Sequence, residues 1–251
     1  DVATYQELLA SASDPLPAPS TDLDDPAFIF FTSGSTGPAK GVTHTVGTTG
    51  WMLASAAAGF EMTDRDRFLP ASSMSHLGAF LWTMSSFSVV AAALKNHPSE
   101  GDELPSLLRT YRPTLLAMIP AALIALVRDH GATAADFSSL RLCRSGSDHV
   151  PEALDVEFLE LTGSPIDEGY GMSEVGLATL NPPSGTIKPG SIGTPIAGFE
   201  IAVLDETGDE VPVGTVGRIH LRTRSATVGY WDNPEATAEL FRDGWVDSGD
   251  L

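Results

Sequence analysis

The sequence predicts an α/β protein. Its first and larger part reads as a mostly parallel sheet with flanking helices, and its last part is β-rich. Three observations carry this. Short continuous apolar runs, such as residues 27–32 and 115–119, alternate with helical stretches. Loops rich in Gly, Ser or Pro close most of those runs. Near Gly190 the rhythm changes to short β-prone segments separated by glycines, which points to a mainly antiparallel unit.

In chain order, residues 5–12 read as the end of a helix, and 13–25, rich in Pro, Ser and Asp, as a linker. Residues 27–32 read as a strand buried in the parallel sheet, followed by a Gly/Ser/Thr loop over 33–41 and a helix over 45–60. A brief strand over 67–70 leads to a loop with Ser75, His76 and Gly78; the apolar stretch 79–94 reads as a helix, or a helix plus a strand. An amphipathic helix follows over 103–111, then a strand over 115–119 and a helix over 121–130 that Pro120 precedes. The strand at 140–144 closes at Ser145-Gly146-Ser147, a helix covers 151–161, and Ile166 leads to Gly169-Tyr170-Gly171. In the β-rich part, 199–204 and 217–221 read as strands, with a turn at Asp205-Glu206-Thr207-Gly208 between them. A short helix over 233–241 has Pro234 at its start. The division expected is 1–25, 26–189 and 190–251.

A chain of 251 residues, 42% hydrophobic, is long enough for a sizeable core. The net charge of -19, from 14 basic and 33 acidic residues, disfavours nucleic acid and anionic membranes as partners. Lysines are few: Lys40, Lys95 and Lys188. Such a surface fits a cell with high internal salt and equally an ordinary acidic cytoplasmic protein. Cys143 is the one cysteine, which rules out an intrachain disulfide and favours a reducing, cytoplasmic setting. It stands in the apolar run 140–143 and reads as a buried structural thiol. No basic-then-apolar segment opens the sequence, and its apolar stretches are too short to span a membrane.

The strongest local signal is Thr32-Ser33-Gly34-Ser35-Thr36-Gly37-Pro38-Ala39-Lys40-Gly41. Glycines let backbone N–H groups converge on an anion, hydroxyls add donors, and Lys40 adds charge. By itself such a stretch is also what a surface loop looks like. It is not a Walker A loop, because Gly41 follows Lys40. The segment resembles the signature loop of the adenylate-forming superfamily: acyl-CoA synthetases, luciferases and the adenylation domains of peptide synthetases. The usual order there is Thr-Gly-x-Pro-Lys-Gly; here the proline, Pro38, comes one place early while the lysine spacing is kept.

Further motifs follow in the family's order. Pro70 with Ser75-His76-Leu77-Gly78 is similar to its Pro…His-x-x-Gly element, and Arg144-Ser145-Gly146-Ser147 to its Gly-Gly-Ala-like turn. Gly169-Tyr170-Gly171-Met172-Ser173-Glu174 resembles Tyr-Gly-x-Thr-Glu. Ile192-Gly193-Thr194-Pro195 also fits, as does Gly217-Arg218-Ile219, although Arg218 stands where glutamate is usual. The run from Gly229-Tyr230-Trp231 to Asp243-Gly244-Trp245 and Ser248-Gly249-Asp250 completes the likeness, which covers nearly the whole chain.

The resemblance implies an AMP-forming acid–thiol ligase that uses ATP, Mg²⁺ and coenzyme A, with a barrel-like form for the β-rich part. It places ATP phosphates at Thr32, Ser33, Gly34, Ser35, Thr36, Gly37 and Lys40. It places adenine beside Gly146, Ser147, Gly169, Tyr170, Gly171 and Met172, the α-phosphate at Ser173, Mg²⁺ at Glu174 and the ribose hydroxyls at Asp250. Lys40, Ser173 and Glu174 would be the catalytic groups, with His76, Gly146 and Gly171 near the acid. A lone loop histidine such as His76 is as readily a structural hydrogen bonder. Phe80, Trp82, Met84 and Phe87 read equally as an acyl pocket or as a core helix. An adenylation domain of a peptide-synthetase-like protein and a non-catalytic nucleotide-binding fragment are the other readings. Family members also carry a region before Tyr5 and a small mobile domain after Asp250 that supplies a further lysine. The expectation is therefore a central portion that does not complete the reaction by itself.

Overall fold

A computed structural model describes residues 22–32, 38–95 and 103–251 together with Gln6. The helix expected over 5–12 (Gln6 apart), most of the linker and the loop residues Ser33, Gly34, Ser35, Thr36 and Gly37 lie outside that set.

The first two strands correct the sequence reading. Strand β1 (Pro26–Thr32) is not part of the parallel sheet: it pairs antiparallel with β2 (Lys40–Thr45), from Phe28↔His44 to Thr32↔Lys40. Nor is β1 buried, since Phe31 is 71% exposed. An apolar run marks a strand without saying which faces are covered. The stretch read as loop running straight into helix contains β2. Thr45 caps the helix α1 (Val46–Gly59), accepting from the Thr48 amide at 3.2 Å.

The parallel sheet comprises β3 (Arg67–Pro70), β4 (Ala92–Ala93), β5 (Leu115–Met118), β6 (Leu142–Ser145) and β7 (Asp167–Glu168), in the order β4-β3-β5-β6-β7. Helices α2 (Leu77–Ser88), α3 (Glu103–Tyr111), α4 (Pro120–Arg128), a single turn α5 (Ala134–Phe137) and α6 (Glu152–Thr162) alternate with its strands. Pro120 stands in the first turn of α4, and Gly163 ends α6 in the left-handed conformation at φ 76°. Strand β5 divides the core by alternation: Leu115 and Ala117 join one hydrophobic cluster, Leu116 and Met118 the other. Cys143 belongs to the second cluster, and burial pushes its thiol pKa well up, as a structural thiol requires.

The first cluster packs Phe60 edge-on to Phe68 and Trp82, with ring centroids 5.3 and 5.0 Å apart. It runs on into Phe199, Leu221, Leu240 and Val246 of the β-rich segment. After β7 come two short antiparallel pairs, β8 (Gly171–Met172) with β9 (Gly176–Leu177) and β10 (Thr179–Leu180) with β11 (Thr194–Pro195). In the β-rich segment β12 (Phe199–Leu204), β13 (Arg218–Thr223), β15 (Phe241–Arg242) and β16 (Trp245–Asp247) form an antiparallel sheet in the order β12-β13-β16-β15. No pairing among the described residues joins β12 to β15, so these four strands make an open sheet. The unusual Arg218 has a partner here, Asp247 on β16 at 3.2 Å. Strand β14 (Gly229–Tyr230), followed by α7 (Pro234–Leu240), returns to pair with β2.

Asp66 ties the sheet to α1. It accepts from the Thr63 amide at 2.8 Å, Thr114 Oγ1 at 2.6 Å and Arg141 Nε at 2.9 Å, while Arg141 Nη2 reaches Phe60 O at 2.8 Å. Burial alone would raise the Asp66 pKa; the hydrogen bonds from Arg141, Thr114 and Thr63 outweigh it and leave about 2. The Arg109 hydrogen bond is the main reason that Asp136 also sits at about 2. Because both folded values lie below the unfolded value of about 3.9, their stabilisation is complete above that pH and is lost as pH falls through about 2. Asp66→Ala is expected to lower stability by about 3 kcal/mol at neutral pH, since it strands a partly buried arginine. Thermal melts from pH 7 to 2 check this: the loss relative to the parent should shrink toward pH 2.

Candidate active site

The C-terminal ends of β3, β5, β6 and β7 converge on one cavity of about 850 Å³. Ser72 stands after β3, Met118 and Ile119 at the end of β5, residues 145–149 at and beyond the end of β6, and 168–173 from β7 onward. Crevices beyond the carboxyl ends of parallel strands are where open α/β sheets bind ligands. The start of α2, with His76, Leu77, Gly78 and Trp82, forms the facing wall.

Most of the residues expected in the site meet here. His76, Gly146, Ser147, Gly169, Tyr170, Gly171, Met172, Ser173 and Asp250 all line the cavity. Tyr170 and Asp250 are far apart in sequence, yet Tyr170 OH donates to Asp250 Oδ2 at 2.6 Å. Burial, followed by this carboxylate, pushes the Tyr170 pKa well up, so the phenol stays protonated as a donor. Ser147 adopts φ 69°, a left-handed conformation unusual for serine, so backbone strain sits in the cavity wall. The protein's own packing requires Gly169, where a Cβ would lie 2.6 Å from Thr179 O; a Cβ on Gly146 would press on the end of the Arg144 side chain at 3.1 Å. The expected role of Gly146, making room for a flat base, is thus shared with making room for Arg144.

Glu174, Lys40 and Thr32 are not among the cavity-lining residues. Glu174 is buried and accepts from Tyr230 OH at 2.8 Å, and Lys40 Nζ lies over the Tyr230 ring, 4.8 Å from its centroid. Lys40 pairs with Thr32 where β1 ends and β2 begins. The structure therefore brings Lys40 and Glu174 together through Tyr230, a residue to which the sequence reading gave no role. His44 is a second residue that reading passed over. Its Nε2–H donates to Ser173 O at 2.8 Å, which leaves Nδ1 to accept from Thr48 Oγ1 at 3.3 Å. Burial lowers its pKa and so favours this neutral form. Only its place beside the loop motif marks it in the sequence.

Arg144 is the third such residue. It is 8% exposed, lines the cavity and stacks on Trp82 with 5.1 Å between guanidinium carbon and ring centroid. Of the four apolar side chains considered for an acyl pocket, Trp82 alone lines the cavity; Phe80 packs on Phe28 and Phe30, and Phe87 is exposed.

The donor set suits a nucleotide: a tyrosine face, a carboxylate with its phenol partner, and backbone turns at the strand ends. For Mg²⁺, no group of three or more His, Cys, Asp or Glu among the described residues could cage an ion. Mg²⁺ is typically held by one or two carboxylates plus substrate phosphates, so Glu174 fits it only together with a bound polyphosphate. Among the described residues no helix is long and apolar enough to cross a membrane.

Comparison with known proteins agrees with this geometry. The family model described as AMP-binding enzyme matches residues 1–231. A 3-hydroxybenzoate–CoA ligase of Aromatoleum sp. (strain CIB) is 32% identical over 98% of this chain and 47% of that protein. A feruloyl-CoA synthase of Amycolatopsis sp. is 30% identical over 97% and 50%. The crystal structure of ATP-bound MatB from Rhodopseudomonas palustris superposes with a TM-score of 0.87 at 29% identity, covering 97% of this chain and 49% of that one. The chain spans about half the length of the curated relatives it matches.

Proposed function

Because the chain belongs to the family of AMP-binding enzymes, we propose that its cavity activates a carboxylic acid with ATP, and that the full-length protein passes the acyl group to coenzyme A in the cytoplasm. The observation that carries this is the meeting of Tyr170 with Asp250 across the cavity, beside the turns that follow β6 and β7. Relatives named as CoA ligases and a solved neighbour with bound ATP support the same reading.

In the first step a carboxylate oxygen attacks the α-phosphorus of ATP and pyrophosphate leaves; in the second the thiol attacks the acyl adenylate and AMP leaves. The chain's task in the first is alignment and charge neutralisation. The Tyr170 ring packs on adenine, and Asp250 accepts from the ribose hydroxyls. The Ser173 hydroxyl donates to the α-phosphate, and His44 fixes its backbone from behind. Lys40 and the hydroxyls and amides of residues 32–37 hold the β- and γ-phosphates. Glu174, together with the bound phosphates, would hold Mg²⁺, which would supply charge neutralisation. His76 and Trp82 bound the space left for the acid.

The test is ATP–pyrophosphate exchange by the full-length protein with fatty and aryl acids, followed by a thioester assay with coenzyme A. Acid-dependent exchange is expected. ATP binding with no exchange for any acid would replace the enzyme by a nucleotide-binding module.

A further inference from the structure

We propose that Arg144 selects the substrate: the cavity takes carboxylic acids that carry a second oxygen acceptor on the body of the molecule, and the Arg144 guanidinium donates to that oxygen. The inference rests on reading the cavity as an acid- and nucleotide-binding site, and it narrows the acid. A guanidinium has five N–H donors. Arg144 makes one hydrogen bond among the described residues, Nη2 to Gly169 O at a long 3.3 Å, and its Nε is buried without any partner. An arginine that is 8% exposed and left this short of acceptors costs stability unless something else supplies them.

The nearby acids do not supply them. Asp167 lies opposite Arg144 in the β6–β7 ladder, but its Oδ1 accepts from Asn181 Nδ2 at 2.8 Å and its Oδ2 has no partner. Glu168 spends its oxygens on backbone amides, those of Gly190 at 3.1 Å and Val150 at 3.4 Å. Asp148 accepts from the His149 amide. Burial lowers the Arg144 pKa to about 10, against the opposing charge of Asp167, so the group remains a cation at neutral pH. Its plane is fixed from one side by Trp82 and its end is wedged against Gly146, and all three line the cavity. A held, charged, under-used donor beside an apolar indole wall matches an acid with an apolar body and one oxygen on it. A pure hydrocarbon acid would leave the guanidinium unpaired.

The experiment compares benzoate with 3-hydroxybenzoate and 3-carboxybenzoate, and hexanoate with 6-hydroxyhexanoate and hexanedioate. Pyrophosphate exchange by the full-length protein gives kcat/KM, and calorimetry without ATP gives binding of each acid. The oxygen-bearing member of a series is expected to lead by roughly 10–100-fold, the range for a hydrogen bond to a charged group. The hydroxyl and carboxylate arms show whether the oxygen is neutral or anionic. Arg144→Met should bring the ratio to within about threefold, and Arg144→Lys should restore part of it. A purely structural arginine would lower every acid alike and leave the ratio unchanged, which overturns the proposal. So does a rise in the KM for ATP that is equal for all acids, which would assign Arg144 to the nucleotide. Exchange without any preference removes the role of Arg144 and keeps the adenylating reading. A calorimetric preference without exchange does the reverse, and neither signal sinks both.

Discussion

Glu174→Gln is expected to lower pyrophosphate exchange by the full-length protein on the order of 10²-fold while leaving its melting temperature close to that of the parent. The substitution keeps the shape and the acceptor: the amide oxygen can still take the hydrogen bond that Tyr230 OH donates to Oε1 at 2.8 Å. The turn also keeps its backbone tie, Thr227 N to Glu174 O at 2.6 Å. What is lost is the negative charge, and a neutral amide is a poor ligand for a hard cation. Tyr230→Phe makes the complementary change, keeping the charge and removing the tether. It should weaken exchange less and raise the Mg²⁺ concentration needed for half-maximal rate. Parental exchange by a folded Glu174→Gln protein would take Glu174 out of the site, and a large fall in melting temperature would make its role structural.

How much of this site the sequence discloses depends on the distance over which each feature is determined. Motif residues carry their own loops, so the run from Gly169 to Ser173 and the distant Asp250 can be named from the sequence and do meet in one cavity. Elements with a strong local pattern are equally legible: β3 and α3 have the limits their sequences indicate. Pairing is not local. Nothing within residues 27–32 says that their partner is an antiparallel strand starting at Lys40, so a largely exposed antiparallel strand reads as a buried parallel one. The roles of Tyr230, His44 and Arg144 are hidden for the same reason. Tyr230 acts on Glu174, and His44 on Ser173, over separations of 56 and 129 residues. Arg144 looks like an ordinary strand residue until the count of its acceptors exposes it. Arg218, unexplained in the motif, is resolved by Asp247 on the neighbouring strand.

Gly171→Ala is expected to cost about 3 kcal/mol of stability or more, a fall of roughly 10 °C in melting temperature for a chain of this size. Gly171 opens a tight hairpin in which β8 (Gly171–Met172) pairs with β9 (Gly176–Leu177). A Cβ there would lie 2.3 Å from Gly176 O and 3.0 Å from Leu177 Cα. Both obstacles are backbone atoms, and no rotamer change relieves them. The partner strand is closely backed by α1, since Met52 Cγ lies 2.5 Å from where a Cβ on Gly176 would stand, so shifting it aside would press on that side chain. Relief therefore requires opening the hairpin, which carries Tyr170 on one side and Ser173 with Glu174 in its turn. Stability and exchange should fall together, and added ATP should recover little of either, because the strain lies in the backbone that shapes the site. Gly50→Ala is the matched control. It lies in α1 with nothing within 4 Å of a new Cβ, and gains about 0.5–1 kcal/mol of helix propensity. Melting curves and exchange rates of the two variants separate steric cause from a general intolerance of alanine for glycine. A Gly171→Ala protein that melts with the parent and keeps its exchange rate would show that the hairpin can open without disturbing the site.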